Sequence, residues 1–579
     1  MDLEKLLADR LAPAFAAVAG GPVDPTVRRS ARADYQSDAA LALARRIGRP
    51  PREIAAEVLD RAALGDLCAA EVSGPGFINL TVADAALGVA VAELAGDPRL
   101  GVPRVADPQT VVVDYSAPNV AKEMHVGHLR STVIGDATAR LLDWRGHRVV
   151  RANHLGDWGT PFGMLIEHLL DLREAEGADE LSVGDLDSFY RAARAKFDAD
   201  EDFRDRSRRR VVSLQAGDER TMRLWRLLVR RSESYFLEVY RRLDVTLTER
   251  DFQGESRYQP LLAGVVEELG RLGLLRDSDG AACVFPPSSV GRDGEPLPLI
   301  VRKRDGGYGY PATDLAALRH RTGELGATRL LYVVGLPQRR HFEMVFAVAG
   351  AAGWLPGAAR PEHVGFGSVL GADGRMLRSR AGAPVKLADL LDEAVSRATE
   401  LARDKNPELA PEEVAEVGRA VGIGAVKYAD LSTDRNRDYV FDWDRMLSLD
   451  GNTAPYLQYA YARIRSLFRR AGVAGVAGAD GVAAGPAAVP LADPAERALV
   501  LALLGFAPVV TEVERTLEFH QLAGHLHRVA TAFSAFYERC PVLRAEGPVR
   551  DGRLLLCGLT ARVLRQGLDV LGIRTPERM

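Results

Sequence analysis

His125 and His128 stand on either side of Val126 and Gly127, in a run that leaves an apolar strand (TVVVDY, ending at Tyr115), crosses a polar turn and enters a helix start. Two imidazoles at that spacing converge on one point, and Gly127 lets a ligand approach the backbone with no Cβ in the way. A helix N-terminus with free N–H groups attracts anions. Two donors ahead of it suit the charge that builds on an α-phosphate during adenylyl transfer, so a nucleoside triphosphate fits there. Taken alone, His-x-Gly-His is a four-residue pattern that ordinary structural histidines also satisfy.

The elements that must hold these residues read as a βαβ unit. Strand TVVVDY leads to a helix from about Gly127 to Trp144, Gly146 closes it, and HRVVRAN forms the next strand through a right-handed crossover. A charged stretch from about Leu169 to Leu297 reads as an insertion. The nucleotide-binding fold then resumes with RLLYVVG, Arg329 to Gly335, as a buried strand. Ahead of the unit, DYQSDAALALARRIGRPPREIAAEVLDRA reads as two amphipathic helices broken by Pro50 and Pro51, and AEVSGPGFINLTV as one alternating strand. Beyond Leu387 the pattern is helical to the end, except for Gly472 to Pro494, whose alanine, glycine and proline content suits a flexible connector. The expected fold class is multidomain α/β plus α. It comprises a small α+β N-terminal domain (1–106), a Rossmann-like parallel-sheet catalytic domain with an insertion (107–390), a helical connecting region (391–450) and an all-helical C-terminal domain (451–579).

Composition permits this organisation. A chain of 579 residues, 47% hydrophobic and 27% charged, can build several cores, and its length suits three to five domains. No apolar run approaches the roughly 18 residues of a membrane span, and MDLEKLLADRLAPAF is acidic and amphipathic where a signal peptide would be basic then apolar, so a cytoplasmic protein is expected. Cys68, Cys283, Cys540 and Cys557 lie far apart, which indicates neither a zinc knuckle nor a disulfide framework. A net charge of -4 argues against indiscriminate nucleic-acid binding and leaves room for a specific RNA partner on local basic surface. Two runs offer such surface: RDRSRRR (Arg204 to Arg210) and RIRSLFRR (Arg463 to Arg470). Runs of this kind are ordinarily solvated helix faces. Tyr456, Tyr459 and Tyr461 beside the second run suit stacking on unpaired bases, and equally suit a core.

Four segments together resemble one family, the arginyl-tRNA synthetases. SAPNVAKEMHVGHLRST, Ser116 to Thr132, is similar to the arginine-specific form of the class I "HIGH" signature. ANHLGDWGTPFG (Ala152 to Gly163) is a second match, and GGYGYPATDLAALRHR (Gly306 to Arg321) with VVGLPQRRHF (Val333 to Phe342) a third. LDGNTAPYLQYAYARIRSL, Leu449 to Leu467, looks like the entry to that family's anticodon-binding helices, and the ending LGIRTPERM is also similar. The resemblance runs from about residue 35 to Met579.

What the resemblance implies is a ligase that activates L-arginine with ATP, with magnesium bridging the phosphates, and passes it to the 2'-hydroxyl of the terminal tRNA adenosine. No structural metal is implied. The likeness suggests a monomer, and an N-terminal domain that contacts the tRNA elbow. His125 and His128 correspond to the residues that stabilise the α-phosphate, with Gly127, Arg375 and Met376 beside the nucleotide. Asp114, Tyr310 and Asp314 correspond to side-chain recognition, and Ser116, Asn119 and Gln338 to residues holding the amino acid's polar groups. Tyr456, Tyr459 and Arg463 fall on the tRNA-binding side. A planar, always-charged guanidinium needs carboxylates at fixed angles, and two acids, Asp114 at the strand's carboxyl edge and Asp314 one helical turn after Tyr310, fit that need. Such a pocket rejects lysine because an ammonium leaves a buried carboxylate oxygen unpaired, so editing is not required. An insertion of about 130 residues is also short for a second hydrolytic module.

Two positions depart from the pattern. The class carries a "KMSKS" loop, whereas this chain has GRMLRSRAG, Gly374 to Gly382, with Arg378 at the second lysine position. Lys122, just ahead of the histidines, is expected to supply the missing charge. Pro161 stands where the family usually has glutamine. Among rivals, a class I synthetase for glutamate, glutamine or cysteine would share the histidines but not Asp114 and Asp314 in these contexts. A non-catalytic RNA-binding relative would have lost His125, His128, Asn119 or Gln338, and a small nucleotidyltransferase would lack the long helical C-terminal region.

Overall fold

In chain order the first element is the helix Leu3–Ala19 (α1), whose Leu3, Leu7, Leu11, Ala14 and Phe15 form one buried stripe at helical spacing. A computed structural model describes residues 3–176, 186–287, 289–291, 294–357, 359–378, 384–472 and 487–579. Strands Val27–Arg29 (β1) and Tyr35–Ser37 (β2) precede helices Ala39–Ile47 (α2) and Pro51–Arg61 (α3), the latter with proline at its first position, where no N–H is needed. The segment read as one alternating strand is two, Cys68–Ser73 (β3) and Phe77–Val82 (β4), paired antiparallel. Gly74 (φ 55) and Gly76 (φ 140) turn the chain there, and a Cβ at Gly76 would lie 2.7 Å from the Pro51 backbone. The sheet runs β1-β2-β4-β3, and Asp84–Gly96 (α4) follows it.

Thr110–Asp114 (β5), Val126–Arg145 (α5) and Arg148–Ala152 (β6) form the expected βαβ unit, all three strand and helix limits falling close to the apolar pattern. The chain then builds Pro161–Glu176 (α6), Leu186–Ala199 (α7), Glu201–Gln215 (α8), Glu219–Arg242 (α9) and Gln259–Arg271 (α10). An antiparallel sheet of Leu275–Ser278 (β7), Ala281–Val284 (β8) and Leu299–Arg302 (β9) comes next. Tyr310–Gly323 (α11), Arg329–Tyr332 (β10), Arg339–Ala351 (α12) and Arg360–His363 (β11) return to the main sheet, which is parallel throughout in the order β11-β10-β5-β6. From β5 the chain crosses to β6 on one side, and from β10 to β11 on the other. The crevice beyond the carboxyl ends of β5 and β10 is therefore the switch point at which open α/β sheets bind ligands.

Val369–Leu370 (β12), Leu387–Lys405 (α13) and Pro411–Leu431 (α14) follow. The uninterrupted helical pattern expected beyond Leu387 is broken by Tyr439–Val440 (β13), which pairs in parallel with β12. After Trp443–Met446 (α15) come Ala454–Ala471 (α16), Pro494–Leu504 (α17), Phe506–Thr516 (α18), Phe519–Arg539 (α19) and Gly547–Val570 (α20). Most of the expected connector, 473–486, lies outside the described residues.

The chain divides into two compact units, one of Met1–Pro103, Ser448–Asp569 and Arg574–Met579, the other of Arg104–Leu447 and Val570–Ile573. Within the first, the N-terminal sheet and the C-terminal helices are bonded together: Arg497 of α17 reaches Asp34 at 2.6 Å, Asp84 at 2.8 Å and the Val82 carbonyl at 2.8 Å. The second unit centres on the parallel sheet, where Val112, Leu330, Tyr332, Leu315 and Val345 belong to one buried cluster. Among the described residues no helix is long and apolar enough to cross a membrane.

Candidate active site

Between β5 and α5 the backbone takes three left-handed non-glycine residues, Ser116 (φ 71), Ala117 (φ 46) and Ala121 (φ 62). Each such residue costs on the order of 1–3 kcal/mol and persists only where its surroundings fix it. Here they do. Ser116 N–H donates to Ser131 Oγ at 2.9 Å, Ala117 N–H to Asn153 Oδ1 at 3.0 Å and Ala121 N–H to Ser232 Oγ at 2.9 Å. Ser116 Oγ itself is buried between Tyr240 (2.7 Å) and Thr132 (3.0 Å), so its hydroxyl is bonded within the turn.

The turn delivers both histidines to the start of α5. His125 is the N-cap: its Nδ1 accepts the Gly127 N–H at 3.0 Å, and Nδ1 of His128 accepts the His125 N–H at 3.1 Å. Backbone N–H groups can only donate, so the His125 ring keeps a lone pair on Nδ1 and, when neutral, its proton on Nε2; His128 Nδ1 lies 3.1 Å from the His125 N–H and 3.3 Å from the His125 carbonyl, and the shorter contact favours the same tautomer. Burial and then His125 bring the His128 pKa down to about 4, and burial and then Lys122 lower His125. Both are neutral donors near pH 7, with ring centroids 4.2 Å apart. A Cβ at Gly127 would lie 2.6 Å from His125 Cε1, so any side chain here would push the His125 ring aside. Lys122 Nζ stands 4.4 Å from the centre of the Tyr190 ring, contributed by α7.

The arm that returns from the signature loop is stitched to this turn. Val126 N–H donates to Val385 O and Leu387 N–H to Met124 O, both at 2.9 Å, while Lys386 pairs with Glu123 at 2.7 Å. Arg375, Met376 and Arg378 are exposed on the described part of the loop, and 379–383 lie outside the described residues.

The acids do not divide as expected. Asp114 is buried at the end of β5 with Oδ2 2.7 Å from Nη1 of the fully buried Arg321, so its charge is met inside the protein. Asp114, expected at guanidinium recognition, thus faces Arg321 in this structure. Asp314, one turn into α11, is bonded to His341 Nε2 at 2.6 Å, and Tyr310 at the same helix's first position is 70% exposed. The acid that sequence reasoning missed is Glu255. Its side chain is buried at 9% exposure, and the charged groups that act on its carboxylate among the described residues are two further acids, Asp157 and Asp314. Burial, then Asp157 and Asp314, push its pKa up to about 8. Burial and then Glu255 also raise the Tyr310 phenol, which ties the three side chains together. Asp157 orders the turn that carries Glu255 by accepting Ser256 N–H (2.8 Å) and Oγ–H (2.6 Å), across Gly254, where a Cβ would lie 2.1 Å from Asp157 Oδ2. Only the run Gly254-Glu255-Ser256 marked this residue, one acid among many in a charged insertion.

Asn119 and Gln338 are both exposed, Asn119 on the β5–α5 turn against Gly156 and Gln338 at the start of α12 beyond β10. Pro161 opens α6. In the other unit, Tyr461 is core at 3% exposure, whereas Tyr456 is half-buried with its hydroxyl 3.2 Å from Ser534 and Tyr459 is exposed beneath Arg463, 4.7 Å from its ring centre. Tyr537 of α19 joins them, stacked on Arg463 and bonded to Arg470. The run at Arg204 to Arg210 is largely spent on packing: Arg206 and Arg210 pair with Glu167 of α6 at 3.0 and 2.7 Å, and Arg206 also with Asp171. All four cysteines are free and buried.

Residues 91–443 match the model of the catalytic domain of class I tRNA synthetases (R), 457–579 that of the DALR anticodon binding domain, and 1–82 that of the arginyl tRNA synthetase N-terminal domain. The arginine–tRNA ligase of Thermobifida fusca is 52% identical over 583 residues, covering 100% of both chains, and that of Streptomyces coelicolor is 50% identical over 96% of this chain and 95% of its own. The crystal structure of arginyl-tRNA synthetase from Plasmodium falciparum superposes with a TM-score of 0.85 at 28% identity, covering 100% of this chain and 99% of the other. The Thermus thermophilus arginyl-tRNA synthetase gives 0.81 at 26% over 100% of both.

Proposed function

The chain belongs to the class I arginyl-tRNA synthetases and charges tRNA with arginine, and from that premise we propose how its residues divide the reaction. The guanidinium of L-arginine enters between Glu255 and Asp314, with Tyr310 over it, while Asn119 and Gln338 hold the α-amino and carboxylate groups. The observation that carries this reading is a buried Glu255 whose charged neighbours among the described residues are the acids Asp157 and Asp314, a site short of positive charge. A planar fork of five donors satisfies both, and an ammonium does not.

ATP lies over Gly127, and magnesium carried with the nucleotide would neutralise part of its phosphate charge. The arginine carboxylate attacks the α-phosphorus, forming the acyl–phosphate bond as pyrophosphate leaves. No protein nucleophile is needed. Nε2–H of His125 and His128 donate to the oxygens of the α-phosphate as charge grows on them, and because both rings are neutral they do so without changing protonation state. Lys122, Arg375 and Arg378 supply the positive charge that the missing signature lysine would give. The 2'-hydroxyl of the terminal tRNA adenosine then attacks the activated carbonyl and AMP leaves. The DALR helices present Tyr456, Tyr459 and Arg463 to anticodon bases. The enzyme acts as a cytoplasmic monomer, and its N-terminal domain touches the tRNA elbow.

Radiolabelled pyrophosphate exchange with each of the twenty amino acids, with and without total tRNA, tests the reading. Exchange with arginine alone among them supports it, and exchange with lysine at a comparable rate refutes the pocket. Within the same assay, Lys122→Ala is expected to lose more activity than Arg378→Ala, and near-normal rates in both variants would discard the charge assignment.

A further inference from the structure

Arg130 lies one turn into α5, beyond the two histidines, and is 1% exposed. Its Nε stands 3.2 Å from Oδ2 of Asp430, the penultimate residue of α14, itself 1% exposed. Its Nη1 donates to the Arg437 carbonyl at 2.8 Å, and its guanidinium carbon lies 5.3 Å from the Tyr439 ring centre and 5.8 Å from that of Phe366. These contacts gather the segments on either side of the β12–β13 pair. Gly367 N–H donates to Arg435 O (2.9 Å), Tyr439 N–H to Ser368 O (3.1 Å) and Phe441 N–H to Leu370 O (2.8 Å). The signature loop rises from β12 as a hairpin, with Gly371 N–H on Arg375 O and Leu377 N–H on Val369 O. Its returning arm is held to the histidine turn by the backbone bonds of Val126 and Leu387, and its rising arm has Arg130.

We propose that Arg130 and Asp430 are positioning residues that fix the signature-loop cations against the histidines, setting the span across which the triphosphate is held. The proposal rests on the ATP assignment above. A buried ion pair is a poor device for stability, since replacing both partners by apolar groups is often neutral or stabilising. What Arg130 adds is direction: one planar fork reaches a carboxylate on a helix and a carbonyl beside a strand at once, and Lys cannot do both. Misplacing a phosphate-binding group by about 1 Å costs on the order of a hundredfold in rate.

The direct test is the double variant Arg130→Met with Asp430→Leu, which leaves no unpaired buried charge, measured by arginine-dependent pyrophosphate exchange beside thermal melting. The expected result is a melting temperature near that of the parent, a KM for ATP raised about tenfold, kcat lowered by a similar factor, and an unchanged KM for arginine. A stable double variant with parental ATP kinetics overturns the proposal, as does a defect equal for ATP and arginine. Should the double variant not fold, Arg130→Lys decides: a rise in KM for ATP alone supports the role, and parental kinetics or a uniform loss refutes it. Failure of the underlying assignment would show differently, as a parent enzyme in which substitution of His125 leaves ATP kinetics untouched.

Discussion

At the scale of single residues, the proposed seat of the guanidinium on Glu255 has measurable consequences. Held near pKa 8 in the free pocket, Glu255 must be charged to accept a guanidinium, so arginine binding expels a proton, and affinity should weaken roughly tenfold for each pH unit below about 8. Calorimetry in buffers of different ionisation enthalpy reads this directly, and binding with no proton release at pH 7 would refute it. Glu255→Gln should raise the KM for arginine on the order of a hundredfold with little change for ATP. Because the folded pKa lies above the usual 4.5, the group's contribution to stability is present below that value and lost as pH rises towards 8. The Gln variant should therefore show a flatter stability profile in that window. His128 works in the opposite sense. Its pKa falls to about 4 on folding, so stability present above pH 6.5 is lost on acidification towards 4, on the order of 3 kcal/mol, and His128→Asn should flatten that limb of a pH-melting series. The histidines were legible in the sequence because a helix start and a glycine fix where they point. The Arg321 partner of Asp114 was not, since a strand-end acid looks the same whatever cation faces it, and the burial of Glu255 beside Asp157 and Asp314 is a property of packing.

Among elements, the β5–α5 turn carries most of the geometry. Its left-handed residues are held by side chains from α5, from Asn153 just after β6 and from α9, so the turn is shaped by elements far apart in sequence. Ser232→Ala removes the acceptor of the Ala121 N–H and should cost about 1–3 kcal/mol in unfolding free energy, with a higher KM for arginine. An unchanged KM would mean the turn keeps its form without that bond. The strand, helix and crossover of the βαβ unit were readable from period and punctuation alone. The β3–β4 hairpin was not recognised, although Gly74 and Gly76 mark it, because the alternation of side chains continues in phase across the turn. The arginine run of α8 was readable as charge but not as partnership with Glu167 and Asp171 of α6.

Over the whole molecule, the switch point between β5 and β10 puts the first turn beyond β5 and the loop beyond β10 at the same edge of the sheet. The two ends of the chain share a unit, a pairing that no local pattern announces. Arg497 links α17 to Asp34 and Asp84 there, and Arg497→Ala, by leaving the Asp34 charge 9% exposed and short of a partner, should lower stability by about 1–3 kcal/mol. Steady-state charging should then show an altered KM for tRNA with KM for arginine unchanged, and the reverse pattern would contradict a tRNA-facing role for that unit.

The measurement that bears most directly on the account is a crystal structure of the enzyme with L-arginine bound. The guanidinium is expected within hydrogen-bonding distance of the Glu255 and Asp314 carboxylates, with Asp114 still paired to Arg321. A guanidinium seated on Asp114 with Arg321 displaced, or one that leaves Glu255 unpartnered, would contradict it.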